Sequence, residues 1–224
     1  MELELKKECL DTYELGEPQT LTQEETAETI VPDYCPDIAR IISAEGVVCL
    51  HGGTEQDGVT GTVRVTVLYT PENESGVRAL EFAMPFSAQG EGLAGCAHVV
   101  VETEIELLES RMLNPRKIFT RCKLVTHLTG CRKVCLTISS DAETDPALLV
   151  EKRCCGQTVS LLRQVAEKDL TFSETMSLSL GREGAAELLH CRANGIVTET
   201  KAIGNKLIFK GVFLVSALYR TIGG

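Results

Sequence analysis

The sequence predicts a mostly β protein, built as tandem β-sandwich-like units that each carry one short helix. Three observations carry that expectation. Apolar and polar residues alternate with period two over several long runs, the pattern of a half-buried strand. Polar loops containing proline separate those runs. A strand pattern that begins at Gly61 recurs at Gly211, which marks an internal repeat. The chain of 224 residues can hold one large β domain or two small ones, and the repeat divides it into residues 1–150 and 151–224. Hydrophobic residues make up 43% of it and aromatic residues 4%, with no Trp, so aliphatic side chains must fill the core.

Taken in order, the first residues alternate charge and leucine from Met1 to Lys7 and carry no apolar stretch of the signal-peptide kind. Pro36–Ile42 predicts a short helix with Pro in its first turn. A strand follows over 45–51, then a turn at His51-Gly52-Gly53, then the run Gly61–Tyr69. In that run Val63, Val65, Val67 and Tyr69 share one face, and Thr62, Arg64 and Thr66 share the other. Thr70–Gly76 reads as a loop, and a strand is expected over 79–89.

From His98 to Leu108 the alternation places Val99, Val101, Thr103, Ile105 and Leu107 on one face, with Glu102, Glu104 and Glu106 on the other. Arg111–Arg116 reads as a turn broken by Asn114-Pro115. Lys117–Leu128 alternates again, with Ile118, Cys122, Leu124 and Leu128 opposite Arg121 and Lys123. A hairpin centred on that turn would set Glu106 against Arg121 and Glu104 against Lys123, pairs worth about 0.2–1 kcal/mol each. These carboxylates therefore read as a solvated charge ladder. Residues 139–146 read as a polar loop, and Gly184–His190 predicts the second short helix.

The repeat is ordered. Gly61 matches Gly211, Val65 matches Val215, and Leu68-Tyr69 matches Leu218-Tyr219. Upstream, Gly46-Val47-Val48 resembles Gly195-Ile196-Val197, the two short helices correspond, and Glu28-Thr29 and Glu174-Thr175 precede them. The first copy runs on past Tyr69 into further strands, whereas the sequence reaches only Gly224 after Tyr219. The second unit is thus expected to be covered by the first unit, by another chain or by further residues.

Little in the chain points to chemistry. A net charge of −10 with dispersed basic residues opposes a nucleic-acid surface. No run of apolar residues is long enough to span a bilayer as a helix. With no export signal, the ten cysteines are expected to be reduced thiols in the cytoplasm. The four histidines form no zinc-ligand pair. Cys122, Cys131 and Cys135 with His127 lack metal-ligand spacing and read as core thiols. Cys154-Cys155 beside Arg153 could hold a reactive thiol, although adjacent residues on a strand point apart. His51-Gly52-Gly53 has no nucleophile elbow to accompany it. No catalytic residue, metal or cofactor is assigned.

One phrase is specific enough to carry a family likeness. Glu28-Thr29-Ile30-Val31-Pro32-Asp33, then Pro36-Asp37-Ile38-Ala39-Arg40-Ile41, then a strand closing on Val67-Leu68-Tyr69, resembles the SPOCS domain of clostridial and related Firmicute proteins. The resemblance covers most of the chain, strongly over 28–70 and more weakly over 170–221. In the second copy Gly181-Arg182-Glu183-Gly184 stands in place of the Pro-Asp-Ile phrase. The best understood members are SipL-like spore-coat morphogenesis proteins, which add a C-terminal LysM domain that this sequence does not show. The resemblance implies a non-catalytic part in coat assembly, in the mother-cell cytoplasm at the forespore surface. The family-motif residues Pro32, Asp33, Pro36, Asp37, Ile38, Leu68 and Tyr69 are then expected to be structural.

Three functional classes follow. The first is an interaction protein of spore-coat or envelope assembly, with coat proteins as partners or with self-association through the second unit. The second is a glycan-binding module of the cell envelope, which would need exposed aromatics. The third is a thiol- or metal-dependent enzyme, for which reactive Cys154 and Cys155 or bound zinc would be the sign.

Overall fold

A computed structural model describes residues 4–51, 58–143, 151, 153, 156, 158–168, 170, 171, 173–175, 177 and 184–221. The described chain is mostly β. Its strands in order are β1 (Glu4–Leu15), β2 (Gln19–Ile30), β3 (Ile38–His51), β4 (Gly58–Pro71), β5 (Arg78–Gln89), β6 (His98–Asn114), β7 (Lys117–Glu143), β8 (Ala185–Ile203) and β9 (Lys206–Thr221). Among the described residues no helix forms and none could cross a membrane as a helix.

β7 is the spine of the first sheet. It pairs with β6 and β2 over its first half and with β1 over its second, all antiparallel. The second sheet is the meander β3-β4-β5. The two pack face to face. Val63, Val65, Val67 and Tyr69 of β4 and Leu80, Met84 and Phe86 of β5 meet Ile118, Cys122 and Leu124 of β7 in a common core. The alternation read from Gly61–Tyr69 and Lys117–Leu128 thus faces the core as expected. Two hydroxyl pairs cross from β6 to β7 and serve the buried Thr126 and Thr120, Thr103–Thr126 at 3.0 Å and Ser110–Thr120 at 2.8 Å. Each satisfies a group that would be costly to bury alone.

Neither expected helix forms, and bulges explain the misreading. Ile38, Ile41 and Ala44 stand opposite Pro71, Tyr69 and Val67, on one face of the sheet. Bulges at Ala39 and Ile42 each add a residue, so a period of two becomes a period of three, which mimics one face of a helix. The β-branched isoleucines then favour the strand. β8 repeats the device. Ala185, Leu188 and Cys191 stand opposite Thr221, Tyr219 and Ala217, with bulges at Ala186 and Leu189.

The β6–β7 hairpin also departs from its expected register. The turn closes over Pro115 and Arg116 alone, because the Asn114 side chain accepts a hydrogen bond from Arg116 N at 2.9 Å. Glu109 then lies opposite Arg121 and Glu104 opposite Val125. A bulge at Glu106 reverses the faces beyond it, so Leu108 packs on the core and Leu107 is exposed. The charges find other partners: Arg121 with Glu24 at 2.7 Å and Lys123 with Glu106 at 2.8 Å. Residues 139–143, expected in a loop, continue β7 because β1 pairs alongside them.

The hairpin β8–β9 forms a sheet of its own. It touches the meander through β8, where Leu189 is buried and His190 Nε2 lies 3.0 Å from Glu45 Oε2. The two hairpins share one register. Bulges at Ala39 and Ile42 of β3 recur at Ala186 and Leu189 of β8, against the matched residues Pro71–Leu68 and Thr221–Leu218. Gly46 stands opposite Val65, and Ala193 stands opposite Val215. The structural equivalent of Gly46 is therefore Ala193, two residues before the Gly195 that sequence matching selects.

Candidate functional site

The motif phrase is the arch that carries the chain from β2 in one sheet to β3 in the other. Val31 and Ile38 at its feet are fully buried. Between them Cys35 N donates to Pro32 O at 2.9 Å and closes a turn. The arch is laced to the β6–β7 turn: Val31 N donates to Arg116 O and Ile38 N to Pro115 O, both at 2.9 Å. Glu72 N donates to Asp37 O at 2.9 Å, which ties in the end of β4.

Arg116 occupies the middle of the arch. Its Nη1 donates to Cys35 O at 2.8 Å and Asp37 Oδ1 at 3.0 Å. Its Nη2 donates to Val31 O at 2.8 Å and Asp33 Oδ1 at 3.1 Å. A planar fork with fixed donors suits two carbonyls flanked by two carboxylates in a way that a lysine would not. The Tyr69 ring is fully buried, and its hydroxyl donates to Pro36 O at 3.4 Å. Burial, with Cys35 beside it, pushes the Tyr69 phenol up to about 12.

The structure thus brings Pro32, Asp33, Pro36, Asp37, Ile38 and Tyr69 into one arch, with Asp33 and Asp37 on the Arg116 guanidinium and Tyr69 on the Pro36 carbonyl. Leu68, the remaining motif residue, is buried on the opposite face of β4 from Val67 and Tyr69. Arg116 has no signal in the sequence. It lies 79 residues from Asp37, and only the packing of the two sheets reveals the pairing. Both terminal nitrogens of Arg116 already hold two protein acceptors each, so the arrangement clamps a crossover.

The residues considered for chemistry lie apart. Cys122 is buried on β7, and burial, with Glu25 nearby, pushes its thiol up to about 11. Burial and the neighbouring Cys96 likewise raise Cys131. Cys135 is joined to Cys9 by a disulfide, against the expectation of reduced thiols. The alignment of β1 beside the far half of β7 puts that pair on facing strands, with Cα atoms 5.7 Å apart. His127 Nδ1 meets Thr20 Oγ1 at 3.0 Å, and His51 Nε2 meets Thr62 Oγ1 at 3.2 Å. Among the described residues no three His, Cys, Asp or Glu side chains are grouped to hold a metal. Cys154 and Cys155 lie outside the described residues, as do Gly52 and Gly53.

A second feature stands out on β8–β9. Leu188, Val197, Leu207 and Phe209 are 59–62% exposed. Val212, Leu214 and Leu218, on the other face of β9, are 46–59% exposed. The positions of β4 that match them are Thr62, Arg64 and Leu68, so two positions that are polar on β4 are apolar on β9. Both faces of β9 thus carry large apolar side chains at the surface.

No family model, curated protein or solved structure matches the chain.

Proposed function

We propose that this chain is a non-catalytic assembly protein that works through protein–protein contacts, in the spore-coat or envelope setting implied by its likeness to the SPOCS domain. On this reading it consists of two β-sandwich-like units, residues 1–150 and 151–224, and acts in the mother-cell cytoplasm at the forespore surface. The observation that carries the reading is the β8–β9 hairpin, whose two faces both present large apolar side chains to solvent. A clamped motif fits it, since Arg116 and its partners tie the crossover between the two sheets. Localisation of a tagged protein in sporulating cells tests it. A ring around the forespore and a coat defect on deletion are expected. Diffuse signal in vegetative cells, with normal sporulation on deletion, would count against it.

A second reading is supported by one observation. Phe209 is 61% exposed and Phe213 59% exposed, four residues apart on the same face of β9. Such a pair can stack on sugar rings, so a glycan-binding module is retained as the alternative. The neighbouring Leu207 and Val215 offer no hydrogen bonds to hydroxyls, which places it second. Binding to purified peptidoglycan that is lost in Phe209→Ala would favour it.

A further inference from the structure

Protein association through β8–β9 leaves open what sits there, and the first unit answers by example. The β3–β4 and β8–β9 hairpins share two bulges at matched positions. They also share a glycine at a matched point. A Cβ on Gly61 would stand 2.9 Å from the Cys49 carbonyl oxygen, and one on Gly211 would crowd the carbonyl of Ile196, the residue matching Cys49. Over Gly211–Thr221, then, β9 stands in the register of Gly61–Pro71 of β4.

β4 has a strand on each edge. β5 runs antiparallel on its outer edge, with Phe86 opposite Gly61, Phe82 opposite Val65 and Leu80 opposite Val67. The Phe86 ring covers Gly61, its Cζ only 2.5 Å from where a Cβ would be. An aromatic laid over a strand glycine in this way restores the packing that glycine lacks. β9 is paired with β8 on one edge, and no described strand lies on the other.

The two edges differ in how they are guarded. β5 is the true edge of its sheet and carries Pro85 at its middle, which stops further strands from adding. β9 has neither proline nor charge from Gly211 to Tyr219. A long apolar edge without guards is an acceptor for another strand.

We infer that β9 accepts an antiparallel β-strand from a partner polypeptide in the register that β5 takes on β4. The strand has the chemistry of β5: apolar residues at alternate positions and an aromatic opposite Gly211. A second copy of β9 fits worse. Antiparallel pairing of two β9 strands about Val215 sets Lys210 against Arg220, and like charges directly opposed oppose the pairing. The inference rests on the association reading above and specifies the occupant.

The test uses the full chain and a synthetic peptide with the β5 sequence, Arg78–Gln89, as the probe. Saturable binding is expected, with hydrogen-exchange protection of β9 amides increased by roughly tenfold or more. Leu80→Lys with Met84→Lys in the peptide, or Val215→Lys in the chain, should each weaken binding at least about tenfold, and the unfolding of the sandwich should not change. Concentration-dependent dimers abolished by Val215→Lys, with no peptide protection, would make a second copy the occupant. That outcome would overturn the inference and leave the association reading standing. If β9 neither binds the peptide nor self-associates, and the chain draws no partner that Val215→Lys releases, both fall.

Discussion

Arg116 Nη1 donates to Asp37 Oδ1 at 3.0 Å, joining the tip of the β6–β7 turn to the foot of β3. The bond belongs to a set of four, and the two carbonyl acceptors weigh more than the two carboxylates. Asp33 is wholly solvent-exposed, and an exposed ion pair contributes about 0–1 kcal/mol. The carbonyls of Val31 and Cys35 are less easily served, because the arch around them is pressed against the turn. Arg116→Ala should therefore cost about 2–3 kcal/mol. Arg116→Lys should recover less than half of that, since an ammonium cannot fork between two sites. Asp33→Asn should cost no more than about 0.5 kcal/mol. Urea midpoints of the three variants measure the order. Equal losses for Asp33→Asn and Arg116→Ala would mean that the ion pair, not the carbonyls, holds the arch.

The Tyr69 phenol makes alkaline stability a direct readout of the arch. Its value rises from 10.0 to about 12 because burial disfavours the phenolate, with Cys35 adding to the effect. The folded protein then holds a proton that the unfolded chain has released. This contribution is whole below pH 10 and is lost as the pH rises through 12. Between those values Tyr69→Phe should show a shallower fall in stability than the parent, by up to one proton in slope. Absorbance titration should show a phenol ionising near pH 12, and Tyr69→Phe should remove that step. Absence of that late step would mean that water reaches the ring.

Gly61 offers a sharper probe of strand packing. A Cβ there would meet Phe86 Cζ at 2.5 Å and the Cys49 carbonyl at 2.9 Å, and neither neighbour can swing away freely. Gly61→Ala should destabilise the sandwich by about 1–3 kcal/mol, the usual cost of overpacking. Thermal unfolding measures it. Gly211→Ala crowds the matched carbonyl of Ile196, but its effect should stay within the β8–β9 hairpin. An unchanged main transition in both variants would disprove the close approach at Gly61.

How far these features were legible depended on the range of the interactions. Val63, Val65, Val67 and Tyr69 alternate without interruption, so their face could be read from composition alone. Ile38, Ile41 and Ala44 could not, because two bulges stretch their period to that of a helix. Sequence cannot show a bulge when the extra residue is apolar, as Ile42 is. The Glu106–Arg121 register failed for a related reason. The Asn114-Pro115 breaker suggested a wide turn over 111–116, whereas the Asn114 side chain tightens it to two residues. The motif phrase was visible, and its centre was not. Arg116 comes from a different strand pair, and nothing local distinguishes it from other surface arginines. Cys9 and Cys135 were hidden in the same way, by a separation of 126 residues.

The matched valines Val65 and Val215 separate the finished part of the repeat from the open one. Both stand at the same point of the same hairpin, opposite Gly46 and Ala193. Val65 is 1% exposed under the first sheet, and Val215 is 37% exposed. Val65→Ala removes two buried methyl groups and leaves a cavity, so it should cost about 2 kcal/mol. Val215→Ala removes the same atoms from a face still in contact with water, and should fall within about 0.5 kcal/mol. Guanidinium unfolding of the isolated chain compares them. Once a strand occupies the β9 edge, the second value should rise only in part, since a lateral neighbour covers the flank of Val215 and not the face that the first sheet covers at Val65. Equal costs in the isolated chain would show that β8–β9 is already covered and already part of the cooperative core, and an acceptor role for β9 would lose its physical basis.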